Sequence, residues 1–183
     1  MTDILDEIIA HKRLEIEQQK AAISQELLIN NCNEPMPRRS MRASLSASPS
    51  GIIAEFKRRS PSKGWIKENA QADIISPAYE MAGASVLSIL TDENFFGGNL
   101  KDIRAARPQV SLPILRKDFI IDEYQLYQAC IVGADAVLLI AAALRKEQCS
   151  MLERSGKNEC EENDKSGDFG DSSCRGAVCF RLQ

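Results

Sequence analysis

Glu55 and Lys57 stand two positions apart at the end of an apolar run, Ile52-Ile53-Ala54-Glu55-Phe56. On a strand that spacing turns both side chains to one face. A carboxylate beside an ammonium within a sheet is costly unless the two are paired or used. The run continues through Arg58 and Arg59 into Ser60-Pro61-Ser62-Lys63-Gly64, where hydroxyls, backbone N–H groups and cations surround an anion-sized space. A second apolar run, Pro113-Ile114-Leu115, ends in Arg116-Lys117-Asp118-Phe119, and a lysine so placed can serve as a general acid. A third ends in Thr91-Asp92-Glu93-Asn94-Phe95-Phe96-Gly97-Gly98, where two aromatic rings before two glycines suit a lid over a flat substrate. Taken singly, these segments also read as a basic surface loop or phosphorylation site, a solvated charge run, and a phenylalanine of the core. Three consecutive strands that end in polar or aromatic loops point instead to one functional rim.

The elements that must position these residues form a repeating order. Strands are predicted at Ile52–Phe56, Ala84–Leu90, Leu112–Arg116 and Ala134–Ile140, mostly as continuous apolar runs, as expected of strands covered on both faces in a parallel sheet. Helices are predicted at Ala72–Met81, Leu100–Ala106 and Glu123–Val132. Two of them run into Gly83-Ala84 and Gly133-Ala134, where a glycine closes the helix and a strand follows at once. The β-α-β-α-β-α-β order fits a (β/α)₈ barrel or an open doubly wound sheet. No G-x-G-x-x-G follows the first strand, so a dinucleotide fold has no local support. Residues 3–28 read as one amphipathic helix with its charges, His11 among them, on a solvated face. Residues 30–50 read as a solvated linker with a short helix around Ser40–Ser46.

The 183 residues carry a net charge of −3, which leaves no overall attraction to nucleic acid or to an anionic membrane. No apolar run approaches the roughly 20 residues that span a bilayer. Met1-Thr2-Asp3-Ile4 lacks the layout of a signal peptide, so a soluble, cytoplasmic protein is expected. Six cysteines without a C-x-x-C spacing, and one histidine, give no metal site.

At these motifs the chain resembles indole-3-glycerol phosphate synthase, a (β/α)₈ TIM-barrel lyase of tryptophan biosynthesis. The matching stretches are Ile53–Ser62, Ser88–Asp92, Phe96-Gly97-Gly98, Leu115–Asp122 and Gly133–Ile140. The resemblance implies an α/β barrel domain, here its first four units at 51–152, preceded by an N-terminal helical extension and linker at 1–50. It implies closure of 1-(2-carboxyphenylamino)-1-deoxyribulose 5-phosphate to indole-3-glycerol phosphate with loss of carbon dioxide and water. Lys117 would be the general acid, Lys57 would bind substrate and supply a later proton, and Glu55 would orient or deprotonate. Ser60 would lie on the phosphate side, and Phe96 and Phe119 would pack on the aromatic ring. No metal or organic cofactor is expected. The implied partners are the phosphorylated aromatic substrate and a complementary barrel fragment or pathway enzyme.

The pattern then stops. Residues 153–183 hold five non-cysteine apolar residues, Phe169, Ala177, Val178, Phe180 and Leu182, and three of the six cysteines. No fifth strand is expected there. The segment reads as a non-homologous tail, either disordered or produced by a shift of reading frame near Leu152. The family's later-strand residues therefore have no counterpart, and this chain is expected to be inactive alone. The alternative is a non-catalytic half barrel that binds an anionic ligand or a complementary fragment.

Overall fold

A computed structural model describes residues 4–32, 38–157 and 177–181. The chain opens with α1 (Ile4–Ala22), α2 (Gln25–Cys32) and α3 (Met41–Ala47). The single long helix expected over 3–28 is thus two. The first ends before Ser24, whose hydroxyl accepts the Leu27 N–H and starts the second. The short helix expected near Ser40 is α3, and Ser40 caps it by accepting the Ala43 N–H.

There follow β1 (Ile53–Phe56), a two-stranded hairpin of β2 (Arg59–Ser60) and β3 (Gly64–Trp65), α4 (Ala72–Met81) and β4 (Val86–Leu90). Next come α5 (Glu93–Phe96), α6 (Leu100–Ala106), β5 (Ile114–Lys117), α7 (Tyr124–Val132), β6 (Ala136–Ile140), α8 (Lys146–Lys157) and β7 (Ala177–Arg181). Strands β1, β4, β5 and β6 are parallel neighbours in that order. The four expected strands are all present, each starting one or two residues later than expected, and the third runs one residue further, to Lys117. Gly83 and Gly133 take φ of 88° and 87°, the left-handed conformation that closes α4 and α7 before the next strand.

Side chains alternate between the two faces of this sheet. Phe56, Leu87, Ile89, Ile114, Val137 and Leu139 share one core with Ala72 of α4, Ile103 and Ala106 of α6, Leu126 and Ala129 of α7, and Leu152 of α8. Burying each large aliphatic contributes roughly 1.5–3 kcal/mol, so this helical layer carries most of the stability. Leu115, Ala136 and Leu138 form a smaller cluster on the other face, closed by Met41 of α3. That face also carries Glu55, Lys57 and Lys117.

Two expectations change. The tail was read as lacking a strand, yet Ala177–Arg181 pairs antiparallel with β6, from Ala136↔Arg181 to Ile140↔Ala177. Its direction is opposite to that of the other four strands, so it does not continue their βα repeat. The rest of the expected aberrant tail, 158–176 and 182–183, lies outside the described residues. The linker arginines are not solvated either. Arg38 Nη1 donates to the Ala134 carbonyl at 2.9 Å, and Arg39 Nη1 to the Val110 carbonyl at 2.8 Å. Cys32 and Cys130 are joined as a disulfide between α2 and α7, a pairing the sequence spacing does not announce. Among the described residues, no helix is long and apolar enough to cross a membrane.

Candidate functional site

The register of the parallel strands brings the expected charges together. Glu55 pairs with Ser88, and Lys117 pairs with Leu90 on the strand between them. Lys57 Nζ donates to Glu55 Oε1 at 2.8 Å, and Lys117 Nζ donates to Glu55 Oε2 at 3.3 Å. One carboxylate therefore holds two ammonium groups at the ends of two strands separated by a third. Each of the three side chains remains about a third exposed. Burial alone would raise the Glu55 carboxyl. The Lys57 hydrogen bond and the Lys117 charge outweigh it and hold Glu55 below its ordinary value. The site thus presents two cations and a fixed anion, able to bind an anionic substrate and to deliver or accept a proton.

Arg116 and Asp118 flank Lys117 in sequence but turn to the other face of the strand. Arg116 donates to Thr91 Oγ1, to the Gln125 carbonyl and to Asp118 Oδ2. The contact partner of Lys117 is Glu55 from across the sheet.

Phe96 and Phe119 come from the loops after β4 and β5, and their ring centroids lie 6.1 Å apart at 37°. Both are half-buried, so an apolar wall stands at the rim. The stretch read as a simple loop contains α5, which Asp92 caps by accepting the Phe95 N–H at 2.8 Å. Gly97 then closes the helix at φ 63°. Gly98 lies against the Leu90 carbonyl, where any Cβ would collide with backbone, so the two glycines fix the return of this loop. Ser60 sits at the turn of the β2–β3 hairpin, where its hydroxyl accepts the Lys63 N–H at 3.2 Å. Within the preceding triplet, Arg58 is structural: its guanidinium forks onto both Asp102 oxygens at 2.6 Å. Arg59 lies over the Trp65 ring, 5.7 Å from its centroid. Six expected residues thus occupy one end of the sheet, with Glu55, Lys57 and Lys117 in direct contact and Phe96 against Phe119.

Lys12 departs from the solvated charged face expected of α1, for only 1% of it is exposed. Its Nζ lies 2.8 Å from Glu15, 2.9 Å from Asp92 and 3.1 Å from Asp118. Burial opposes its charge, but Asp118 and Asp92 reverse that and raise its pKa. Asp118, fully enclosed, is pushed down to about 2; burial opposes this, and the Arg116 and Lys12 charges prevail. The signal was available, because Ile8, Lys12 and Ile16 recur every fourth residue and so share the buried face of α1. His11 is half-buried, edge-on to Phe95 with centroids 5.7 Å apart. Among the described residues, no three His, Cys, Asp or Glu side chains are placed to hold a metal ion.

Comparison with known proteins adds an independent line. The sequence profile of the family named indole-3-glycerol phosphate synthase matches residues 5–160. The chain is 68% identical over 152 residues to the indole-3-glycerol phosphate synthase of Bacteroides thetaiotaomicron, covering 83% of this chain and 58% of that protein. It is 50% identical over 157 residues to the enzyme of that name from Neisseria meningitidis serogroup B, covering 84% and 60%. For Syntrophobacter fumaroxidans the figures are 44% over 151 residues, 80% and 57%. The chain spans under two thirds of the length of these relatives. With the parallel βα units and the profile match, it belongs to the indole-3-glycerol phosphate synthase family.

Proposed function

We propose that this chain carries the front part of an indole-3-glycerol-phosphate synthase site. That enzyme is a carboxy-lyase converting 1-(2-carboxyphenylamino)-1-deoxyribulose 5-phosphate to indole-3-glycerol phosphate, carbon dioxide and water. The observation that carries the reading is the Lys57–Glu55–Lys117 contact at one end of the parallel sheet. Lys117 is the general acid that protonates the ketone oxygen as the ring closes. Lys57 holds the substrate carboxylate and supplies the later proton. Glu55 orients both lysines and, kept ionised, can accept a proton during dehydration. The Ser60 hairpin faces the phosphate, and Phe96 and Phe119 pack on the anthranilate ring. A soluble, cytoplasmic setting without a cofactor belongs to the same reading.

The chain spans under two thirds of the relatives' length, and on this reading its groups bind substrate without completing turnover. The purified 183-residue chain, mixed with substrate and followed by indole fluorescence, is expected to bind but to give negligible product. Full turnover would overturn the statement that the site is partial, and no binding at all would overturn the assignment. We also read the departure from the family pattern after Leu152 as a shift of reading frame, which the coding DNA beyond that codon can refute.

A second reading rests on the sheet edge. Among the described residues β1 pairs on one side alone, with Ile52 and Ile53 half exposed beside it. A half barrel of this kind can take up a complementary back-half fragment. Separately expressed back half would then restore indole formation on mixing, while two fragments that stay apart in sedimentation would remove this reading.

A further inference from the structure

We propose that Lys12, in the N-terminal extension, is a positioning residue for Lys117, Phe96 and Phe119. The inference rests on the functional reading above and extends it to a helix outside the sheet. Asp92 and Asp118 follow β4 and β5, and Lys12 is the cation between them, 2.9 Å and 3.1 Å away. Each carboxylate grips a backbone that carries a rim residue. Asp118 Oδ1 accepts the Phe119 N–H at 2.9 Å, and its Oδ2 accepts Thr91 Oγ1–H at 2.7 Å. Thr91 N–H in turn donates to the Lys117 carbonyl at 3.0 Å. Asp92 Oδ1 accepts the Phe95 N–H, and its carbonyl accepts the Gly98 N–H at 2.8 Å, which fixes the helix bearing Phe96.

Glu15 accepts a hydrogen bond from the ammonium, and Asp92 and Asp118 stand beside it as ion-pair partners, with Lys12 and both aspartates buried. Arg116 also pairs with Asp118, through its Oδ2. Thr91 and Asp118 link the two loops by a hydrogen bond, and Lys12 adds the cation that bridges the Asp92 and Asp118 carboxylates. A lysine that merely docks α1 needs one carboxylate partner; this one joins two loops whose aromatic rings face each other. A first ligand-facing set held by a locked supporting set is what keeps such a constellation in register.

The test reads position without needing turnover. In the full 183-residue chain, lysines are given ¹³C-methyl groups by reductive methylation, and the Lys117 resonance is assigned by its loss in Lys117→Arg. In Lys12→Met that resonance is expected to move well below the unfolding temperature, and in Lys12→Arg to return toward its original place. Should Lys12→Met fail to fold, Lys12→Met with Asp92→Asn removes one opposing charge while an asparagine keeps the cap on α5. A folded chain of either kind with an unmoved Lys117 signal overturns the proposal, as does a lowered melting temperature with no change at Lys117. Substrate binding, followed through Trp65, the one tryptophan of the chain, supplies the second arm. Lys12→Met is expected to weaken it roughly tenfold to a hundredfold. A wild-type chain that does not bind defeats the functional reading, while the Lys117 signal still decides the role of Lys12.

Discussion

The two ends of the parallel sheet both collect charge, but they use it differently. At the end where the strands begin, Arg38, Arg39 and Arg107 donate to the carbonyls of Val110, Leu112, Cys130, Gly133 and Ala134. Asp135 completes that end by accepting the Arg39 and Ile114 N–H groups at 2.8 Å and Arg107 Nη1 at 2.6 Å. At the end where the strands stop, Glu55, Lys57 and Lys117 bond one another and stay a third exposed. Charge spent on backbone carbonyls holds shape, whereas charge paired only with other side chains can be lent to a ligand. The position agrees with the general rule that barrels keep chemistry where strands end and stability where they begin.

The sharpest way to break this contrast is Asp135→Ala. The side chain is 2% exposed, and its loss strands two backbone donors and the Arg107 cation. A cost of roughly 3–5 kcal/mol is expected, enough to unfold a marginal chain. Urea unfolding followed by circular dichroism measures it. A loss under about 1 kcal/mol would show that the strand-starting end is not the structural one.

Acid should act on the rim's supporting layer next. The Asp118 carboxyl sits at about 2 against an ordinary 3.8. A carboxyl depressed in the folded state stabilises fully above its unfolded value and loses that contribution as pH falls through its folded value. The window is therefore about pH 4 down to 2, and the contribution is roughly 2 kcal/mol. Urea midpoints taken across that window should fall in the wild type and flatten in Asp118→Asn. Equal slopes would mean that Asp118 is not the group that titrates.

The sequence carried one end of this comparison better than the other. The four strands were readable because burial on both faces leaves unbroken apolar runs, and Glu55, Lys57 and Lys117 stood out as charges ending them. Arg38-Arg39 and Arg58-Arg59 look alike as text. Their partners are carbonyls up to 96 residues distant, or Asp102 across 44 residues, so no local pattern separates a structural guanidinium from a solvated one. Lys12 was hidden for the same reason, although its place in the Ile8–Ile16 stripe was a usable sign. Helix α5 and the β2–β3 hairpin were missed because four and two residues are too few to show a period.

Lys117→Met and Glu55→Gln should invert the Asp135 result. Their pairs are partly exposed and screened, so each change is expected to shift stability by less than about 1 kcal/mol. Glu55 is held ionised, and its loss leaves two cations facing each other, so some destabilisation is expected at low salt and less at high salt. Substrate affinity should nevertheless drop by about tenfold or more in each, in Lys117→Met through loss of one charge-assisted contact and in Glu55→Gln through loss of the bonds that orient both lysines. A variant that loses several kcal/mol yet binds normally would reassign the rim charges to stability.

The smallest effect is expected at Ser60. Its hydroxyl accepts one exposed N–H in a hairpin that Arg59 and Trp65 also brace, so Ser60→Ala should shift stability by no more than about 0.5 kcal/mol. The informative quantity is where the loss of affinity falls. If the hairpin faces the phosphate, Ser60→Ala weakens inorganic phosphate and the phosphorylated substrate alike, and leaves anthranilate binding unchanged. If anthranilate weakens instead, the hairpin borders the aromatic end and the phosphate must sit elsewhere. Because fold and net charge stay the same, the split between the two ligands reports orientation alone, and it does so at a rim residue bonded within its own hairpin.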